Sequence, residues 1–137
     1  MDNSELSERL AGERVARLAT IDHRSGGSHI VPIVFAVAGD RVYSVVDDKP
    51  KRSSDLKRLR NIRADSRVTL LVDHYDEDWA RLWWVRADGR GRIVEPGGEE
   101  WDRAVALLTD KYPQYRTMPP HGPVITIEVE NINGWSA

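Results

Sequence analysis

His29-Ile-Val-Pro-Ile-Val-Phe-Ala-Val-Ala38 is the stretch on which the fold turns. Apart from His29 and Pro32 every residue in it is apolar, so it reads as a strand covered on both faces rather than one with a wet side. One of those faces then needs a cover other than the core. Pro32 cannot donate to a ladder, which predicts a bulge or an edge where the backbone is free to meet a ligand. Upstream, Arg14 to Ile21 alternates like a strand, and Asp22-His-Arg-Ser-Gly-Gly27 is turn chemistry, so the two strands form a hairpin. Downstream, Gly39-Asp40 turns the chain into a third strand, Arg41 to Val46.

Outward from this hairpin the remaining elements follow. Ser4 to Gly12 reads as a short helix capped by Ser4, with Leu6 and Leu10 on one face. Ser53-Ser54-Asp55 supplies N-caps for a basic helix in which Leu56, Leu59 and Ile62 face inward and Lys57, Arg58, Arg60 and Arg63 stay wet. Arg67 to Tyr75 and a long strand from about Trp79 to Glu95 make a second hairpin across the acidic Asp76-Glu77-Asp78. Glu99 to Tyr112 carries a helical stripe of Trp101, Ala104, Val105, Leu108 and Tyr112; an extended proline-rich loop leads to a last strand, Val124 to Glu130. No βαβ unit repeats. Six mainly antiparallel strands with three short helices predict a mainly β chain, a small closed or split barrel forming one domain over residues 1–137.

The composition narrows the functional classes. A chain of 137 residues, 40% hydrophobic and 31% charged, is expected to bury one core. Without cysteine, disulfides, zinc-thiolate sites and a thiol nucleophile drop out. The first residues lack the basic start and apolar run of a signal peptide, and no apolar stretch reaches ~18 residues, so a cytoplasmic protein that spans no membrane is expected. The net charge of −2 hides a patch: Lys49 to Arg67 holds eight basic residues against Asp55 and Asp65. A chain with that balance suits a small, localised anion better than a polyanion.

The strongest candidate site is Tyr43-Ser-Val-Val-Asp-Asp-Lys-Pro-Lys-Arg-Ser-Ser54, a strand end and loop that brings Lys49, Lys51 and Arg52 to a helix N-terminus. Open backbone N–H groups, the positive end of the helix dipole and charge-assisted bonds together suit a phosphate; a plain solvated charged face is the competing reading. Three of the five tryptophans fall in Trp79-Ala-Arg-Leu-Trp-Trp84. Trp83 and Trp84, adjacent on a strand, must face opposite sides, so one fills the core while the other meets a partner chain or a planar ring. None of the four histidines is spaced as a metal ligand, and hydrolase, P-loop and Rossmann motifs are absent from the sequence. Gly89-Arg-Gly91 marks strand twist or a bulge.

Four segments carry a family resemblance: Arg17-Leu-Ala-Thr-Ile-Asp22 with His29-Ile-Val-Pro-Ile-Val-Phe35; Val42-Tyr-Ser-Val-Val-Asp47 with Lys49-Pro-Lys-Arg52; Leu56 to Val72; and Trp84-Val-Arg-Ala-Asp-Gly89. Through them the chain resembles the pyridoxamine 5'-phosphate oxidase-like superfamily, in particular its flavin and deazaflavin oxidoreductases and the F420-dependent branch. The resemblance implies a six-stranded split β-barrel of the FMN-binding type, a homodimer with two cofactor sites at its interface, and a phosphate held by the loop and helix after the third strand. Carried over by position, Val31 and Pro32 line the ring through backbone contacts, and Ser44, Val45 and Val46 flank the ribityl chain. Lys51, Arg52, Lys57 and Arg58 hold the phosphate, Arg81 and His29 are polar contributors near the ring, and Asn61 is structural.

Where flavin-binding relatives carry a glutamine, this chain has Trp84, which favours coenzyme F420 over FMN, as does a cation set suited to a longer anionic tail. The expected activity is hydride transfer between the reduced deazaflavin and a small unsaturated substrate; the cofactor does the chemistry, and no catalytic residue is named. The alternatives are an FMN-dependent reductase or oxidase, a flavin- or haem-binding carrier, a structural dimer with a vestigial site, or, from another class, a nucleic-acid-binding module using the basic patch. The negative total charge argues against the last.

Overall fold

The computed structural model describes residues 1–46 and 53–137. In chain order its elements are α1 (Asn3–Gly12), β1 (Ala16–Ile21), β2 (Ser28–Ile33), β3 (Ala36–Ala38), β4 (Arg41–Val45), α2 (Ser53–Ala64), β5 (Arg67–His74), a 3-10 turn (Trp79–Arg81), β6 (Trp83–Val94), α3 (Glu99–Lys111), α4 (Gln114–Thr117) and β7 (Val124–Ser136). The strands form one antiparallel sheet in the order β2-β1-β5-β6-β7-β4-β3. The fold is mainly β, as the sequence predicts, with seven strands among the described residues rather than six.

The extra strand comes from the opening stretch. Residues 29–38 do not make one strand: the chain leaves β2 at Ile33 and enters β3 at Ala36, and those strands lie at opposite ends of the sheet. A flat sheet of seven strands would separate its edges by about 29 Å, at about 4.8 Å per neighbour. Three Cα steps reach at most about 11 Å. The sheet must therefore roll until its edges nearly meet, which makes it a split barrel with no ladder across the seam. Pro32 sits on the edge strand β2, where a missing N–H costs no ladder bond.

The seam is held by side chains from elsewhere. Phe35 is fully buried, and its backbone N–H donates to the Tyr112 hydroxyl at 3.1 Å, while the single proton of that hydroxyl is shared between the carbonyls of Arg14 and Phe35, at 2.8 and 3.0 Å. Burial raises the Tyr112 pKa, which keeps the phenol protonated. Ser44 Oγ donates to the Val34 carbonyl at 2.9 Å.

Inward side chains of β1, β4, β5, β6 and β7, among them Leu18, Val42, Leu70, Val72, Val85 and Ile127, form the interior with Leu6 and Leu10 of α1 and Leu59 and Ile62 of α2. A second cluster lies on the outside of β3, β4 and β7, where α3 lays Ala104 and Leu108 over Tyr43, Val45 and Val124. That explains why β4 is buried on both faces. A bulge at Asp88/Gly89 lets β6 follow the roll; a Cβ at Gly89 would collide with the Glu128 carbonyl.

Several boundaries differ from the sequence reading for local reasons. Asp2, two residues earlier than Ser4, caps α1 by accepting from the Glu5 N–H at 2.9 Å. Trp79–Arg81 is a 3-10 turn because Asp78 caps it through the Ala80 N–H, so β6 starts only at Trp83. β7 runs on to Ser136 because β6 offers a pairing edge over its whole length, which overrides the weak strand propensity of Asn131, Asn133 and Gly134. Among the described residues no helix is long and apolar enough to cross a membrane.

Candidate functional site

Among the described residues, no helix covers the outer face of β2, β1 and β5 or the part of β6 and β7 beyond the reach of α3. Strand alternation puts Ile30, Arg17 and Ala19, Thr69 and Leu71, Trp84 and Arg86, and Trp135 on this side, where they line a groove of about 670 Å³. Ile30 is 61% exposed, Trp135 47% and Leu71 37%. The both-face burial expected for residues 29–33 is therefore absent in the single chain: Val31 and Ile33 face the core, while Ile30 and Pro32 face out. Trp84 and Trp135 are direct cross-strand partners, and the Arg86 guanidinium carbon lies 5.5 Å from the Trp84 ring centroid. Arg17 reaches Asp73 at 3.7 Å, and Arg86 reaches Asp88 at the same distance.

A neighbouring hollow shares Ala19 and Thr69 with the groove and is lined by Ile21 and Ser28 at the β1–β2 hairpin. At the turn of that hairpin α2 is clamped to it. Lys57 Nζ lies 2.7 Å from Asp22 Oδ2. Asn61, wholly buried, donates to Thr20 Oγ1 at 3.0 Å and accepts from the His23 N–H at 3.0 Å, with His23 Nδ1 at 2.7 Å from the same oxygen. The Lys57 bond, then the N–H groups of Arg24 and Ser25, hold the Asp22 carboxyl well below the usual carboxylate range. Asn61 thus spends its amide inside the fold.

The residues singled out from sequence fall in different places. Trp84 lies in the groove, half-buried. Val31 packs against the core, and Pro32 is exposed at the edge of β2. Ser44, Val45 and Val46 are buried, and the Ser44 hydroxyl is engaged with Val34. Lys57 is paired with Asp22, Arg58 is buried, and Arg81 is exposed at the end of the 3-10 turn. Lys51 and Arg52 lie outside the described residues. His29 faces inward beside Thr20, with a buried Nδ1 that meets no hydrogen-bond partner. Ile30, Leu71 and Trp135, central to the groove, were not singled out: in a strand alternation an apolar residue facing an uncovered side looks like any core residue. The unusual apolarity of the 29–38 run was a signal for Ile30 alone; Leu71 and Trp135 lie outside it.

The chain is a split barrel with one apolar outer face left bare, and comparison with known proteins places that fold. Residues 3–136 match the family model described as pyridoxamine 5'-phosphate oxidase. The chain belongs to that family. No curated protein matches the sequence. Among solved structures, a conserved hypothetical protein from Mycobacterium tuberculosis is 21% identical with a TM-score of 0.80, over 99% of this chain and 85% of that one. An FAD-binding protein from Mesorhizobium loti is 21% identical with a TM-score of 0.72, over 98% and 94%. A haem-storage protein from Vibrio cholerae is 13% identical with a TM-score of 0.72, over 98% and 93%. At these identities the likeness is one of fold.

Proposed function

We propose that the protein is an oxidoreductase that binds coenzyme F420 in the bare groove, where a second copy of the chain covers it, and passes hydride between the reduced deazaflavin and a small unsaturated substrate. The observation that carries this reading is the groove itself. Its volume lies within the roughly 300–1,000 Å³ of small-molecule sites, and it pairs apolar walls with a few polar groups. The residues present fit such a cofactor. Trp84 and Trp135 offer aromatic surface to a flat ring, Arg17 and Arg86 stand beside it, and Lys57 marks the end at which a phosphate would sit.

When bound, the deazaflavin supplies the hydride chemistry; the chain's residues bind, orient and shield it. Trp84 and Trp135 fix the plane of the ring. The second copy, by covering Ile30 and Leu71, removes water from the reacting face. Lys51 and Arg52 neutralise the phosphate, and Lys57 joins them if Asp22 releases it.

A second reading, FMN or FAD as the cofactor of a reductase, oxidase or carrier, is favoured by the FAD-binding structural relative. Titration with F420, FMN and FAD, followed by tryptophan fluorescence, separates the two, and F420 is expected to bind most tightly. In the Lys51→Ala/Arg52→Ala double variant, the tightest affinity is expected to fall at least tenfold, the loss due to two charge-assisted bonds. A change within about twofold overturns the phosphate role.

A further inference from the structure

We propose that the hollow bounded by α1, the 3-10 turn and the end of β7 is a carboxylate-binding site, which takes the acid group of a ligand whose apolar part lies in the adjoining groove. It is lined by Arg9, His74, Arg81, Trp83 and Ser136 among others, and its volume is about 400 Å³. It shares Trp83, Leu82 and His74 with the groove, so the two adjoin at these side chains.

The argument is one of unmatched charge. Most arginines near the groove and on the strands have an acid: Arg17 has Asp73, Arg67 has Asp65, Arg86 has Asp88, and Arg92 has Glu100 in a two-pronged bond of 2.7 and 2.7 Å. No acidic side chain among the described residues pairs with Arg9 or Arg81, and Ala137, the last residue of the sequence, lines the same hollow. Arg9 is nevertheless partly buried, with its guanidinium carbon 4.9 Å from the Trp83 ring centroid. His74 lies against the same ring, centroids 6.2 Å apart and planes 16° from parallel. Its one acid is Asp76, with Oδ2 at 3.8 Å from Nε2.

Stacking on Trp83 holds the Arg9 guanidinium in place at the wall of the hollow and leaves its N–H groups open to an anion. Two arginines on the wall of one hollow can each offer paired N–H donors to a carboxylate. In a chain of net charge −2 this is a local feature and not a generally basic surface. The proposal rests on the reading that a small molecule enters the groove, but not on which cofactor does so. The carboxylate can be the acidic tail of the cofactor or the acid group of a second molecule, the substrate.

Calorimetric titration of the full chain with 1-naphthoate and with its neutral counterpart 1-naphthamide tests the site without any cofactor. The acid is expected to bind about tenfold more tightly than the amide, and the Arg9→Gln/Arg81→Gln variant is expected to erase the preference while leaving amide binding unchanged. Equal binding of acid and amide, no binding of either, or a preference that survives in a folded double variant overturns the proposal. Circular dichroism and the thermal midpoint establish that the variant is folded. Single substitutions of Arg9 and Arg81, each expected to lose part of the preference, replace the double variant if it is not. Repeating the naphthoate titration with saturating F420 separates the two sources: competition assigns the hollow to the cofactor's tail, simultaneous binding to a substrate acid. Because the first titration omits cofactor, a failed F420 titration leaves this result standing, and the reverse also holds.

Discussion

The two outer faces of the one sheet are treated differently. Over β3, β4 and the start of β7, α3 buries Tyr43, Val45 and Val124 beneath Ala104 and Leu108. Over β2, β1, β5 and the rest of β6 and β7, residues equally apolar are left in the open, Ile30 and Trp135 foremost. Both faces come from strands with the same alternation, so the difference does not lie in strand pattern. It lies in whether the chain supplies a helix to cover the face. Covered apolar surface stabilises the fold; uncovered apolar surface of this extent marks a place where something else binds.

The largest effect should appear on the covered side. Leu108→Ala leaves a cavity under α3 and is expected to cost about 2–5 kcal/mol in denaturant unfolding. On the bare side, Ile30→Asp with Leu71→Asp is expected to change the stability of the isolated chain by less than about 1 kcal/mol, since neither side chain is buried there, while abolishing self-association in sedimentation. If the groove pair proves as destabilising as Leu108→Ala in a chain that is monomeric from the start, the contrast between the faces collapses.

A smaller effect is expected where α2 is clamped to the β1–β2 hairpin. The Asp22 carboxyl is held below its ordinary pKa, so its contribution is present above the unfolded carboxylate pKa of about 3.9 and is lost as the pH falls through the lower folded value. Asp22→Asn is therefore expected to be less stable than the wild type at pH 7, with the gap closing in urea melts as the pH falls below about 4. The same variant frees Lys57, and F420 affinity at pH 7 is expected to hold or rise; a large fall would show that Asp22 itself serves the ligand. The smallest effect is a change of preference: Trp84→Gln, which opens the aromatic pair, is expected to move the ratio of F420 to FMN affinity towards FMN by a fewfold in the same titrations.

Much of this contrast was readable in the sequence, and its limits have physical causes. The helical stripe of residues 99–112 announced the covering helix, because a 3.6-residue period needs no partner to be seen. Pro32 announced a bulge or an edge, since its missing N–H is a property of one residue, and the fold makes it an edge. The break of residues 29–38 into two strands was not visible, because Val34 and Phe35 are good strand residues; only the closure of a rolled sheet forces the chain to change edges there. Likewise Lys57 reads as a free cation until the fold brings Asp22, 35 positions away, to within 2.7 Å. Trp83 and Trp84 were separable into inner and outer residues by alternation, but the outer partner of Trp84, Trp135, lay beyond the expected end of the last strand.

The central claim is that the bare face closes over a cofactor when two chains meet. Sedimentation velocity followed at the visible band of F420 tests it most directly. The account predicts that the cofactor travels with a two-chain species in the wild type and is left at the meniscus by the Ile30→Asp/Leu71→Asp variant. Cofactor that travels with single chains, or that remains bound to the variant, would contradict it.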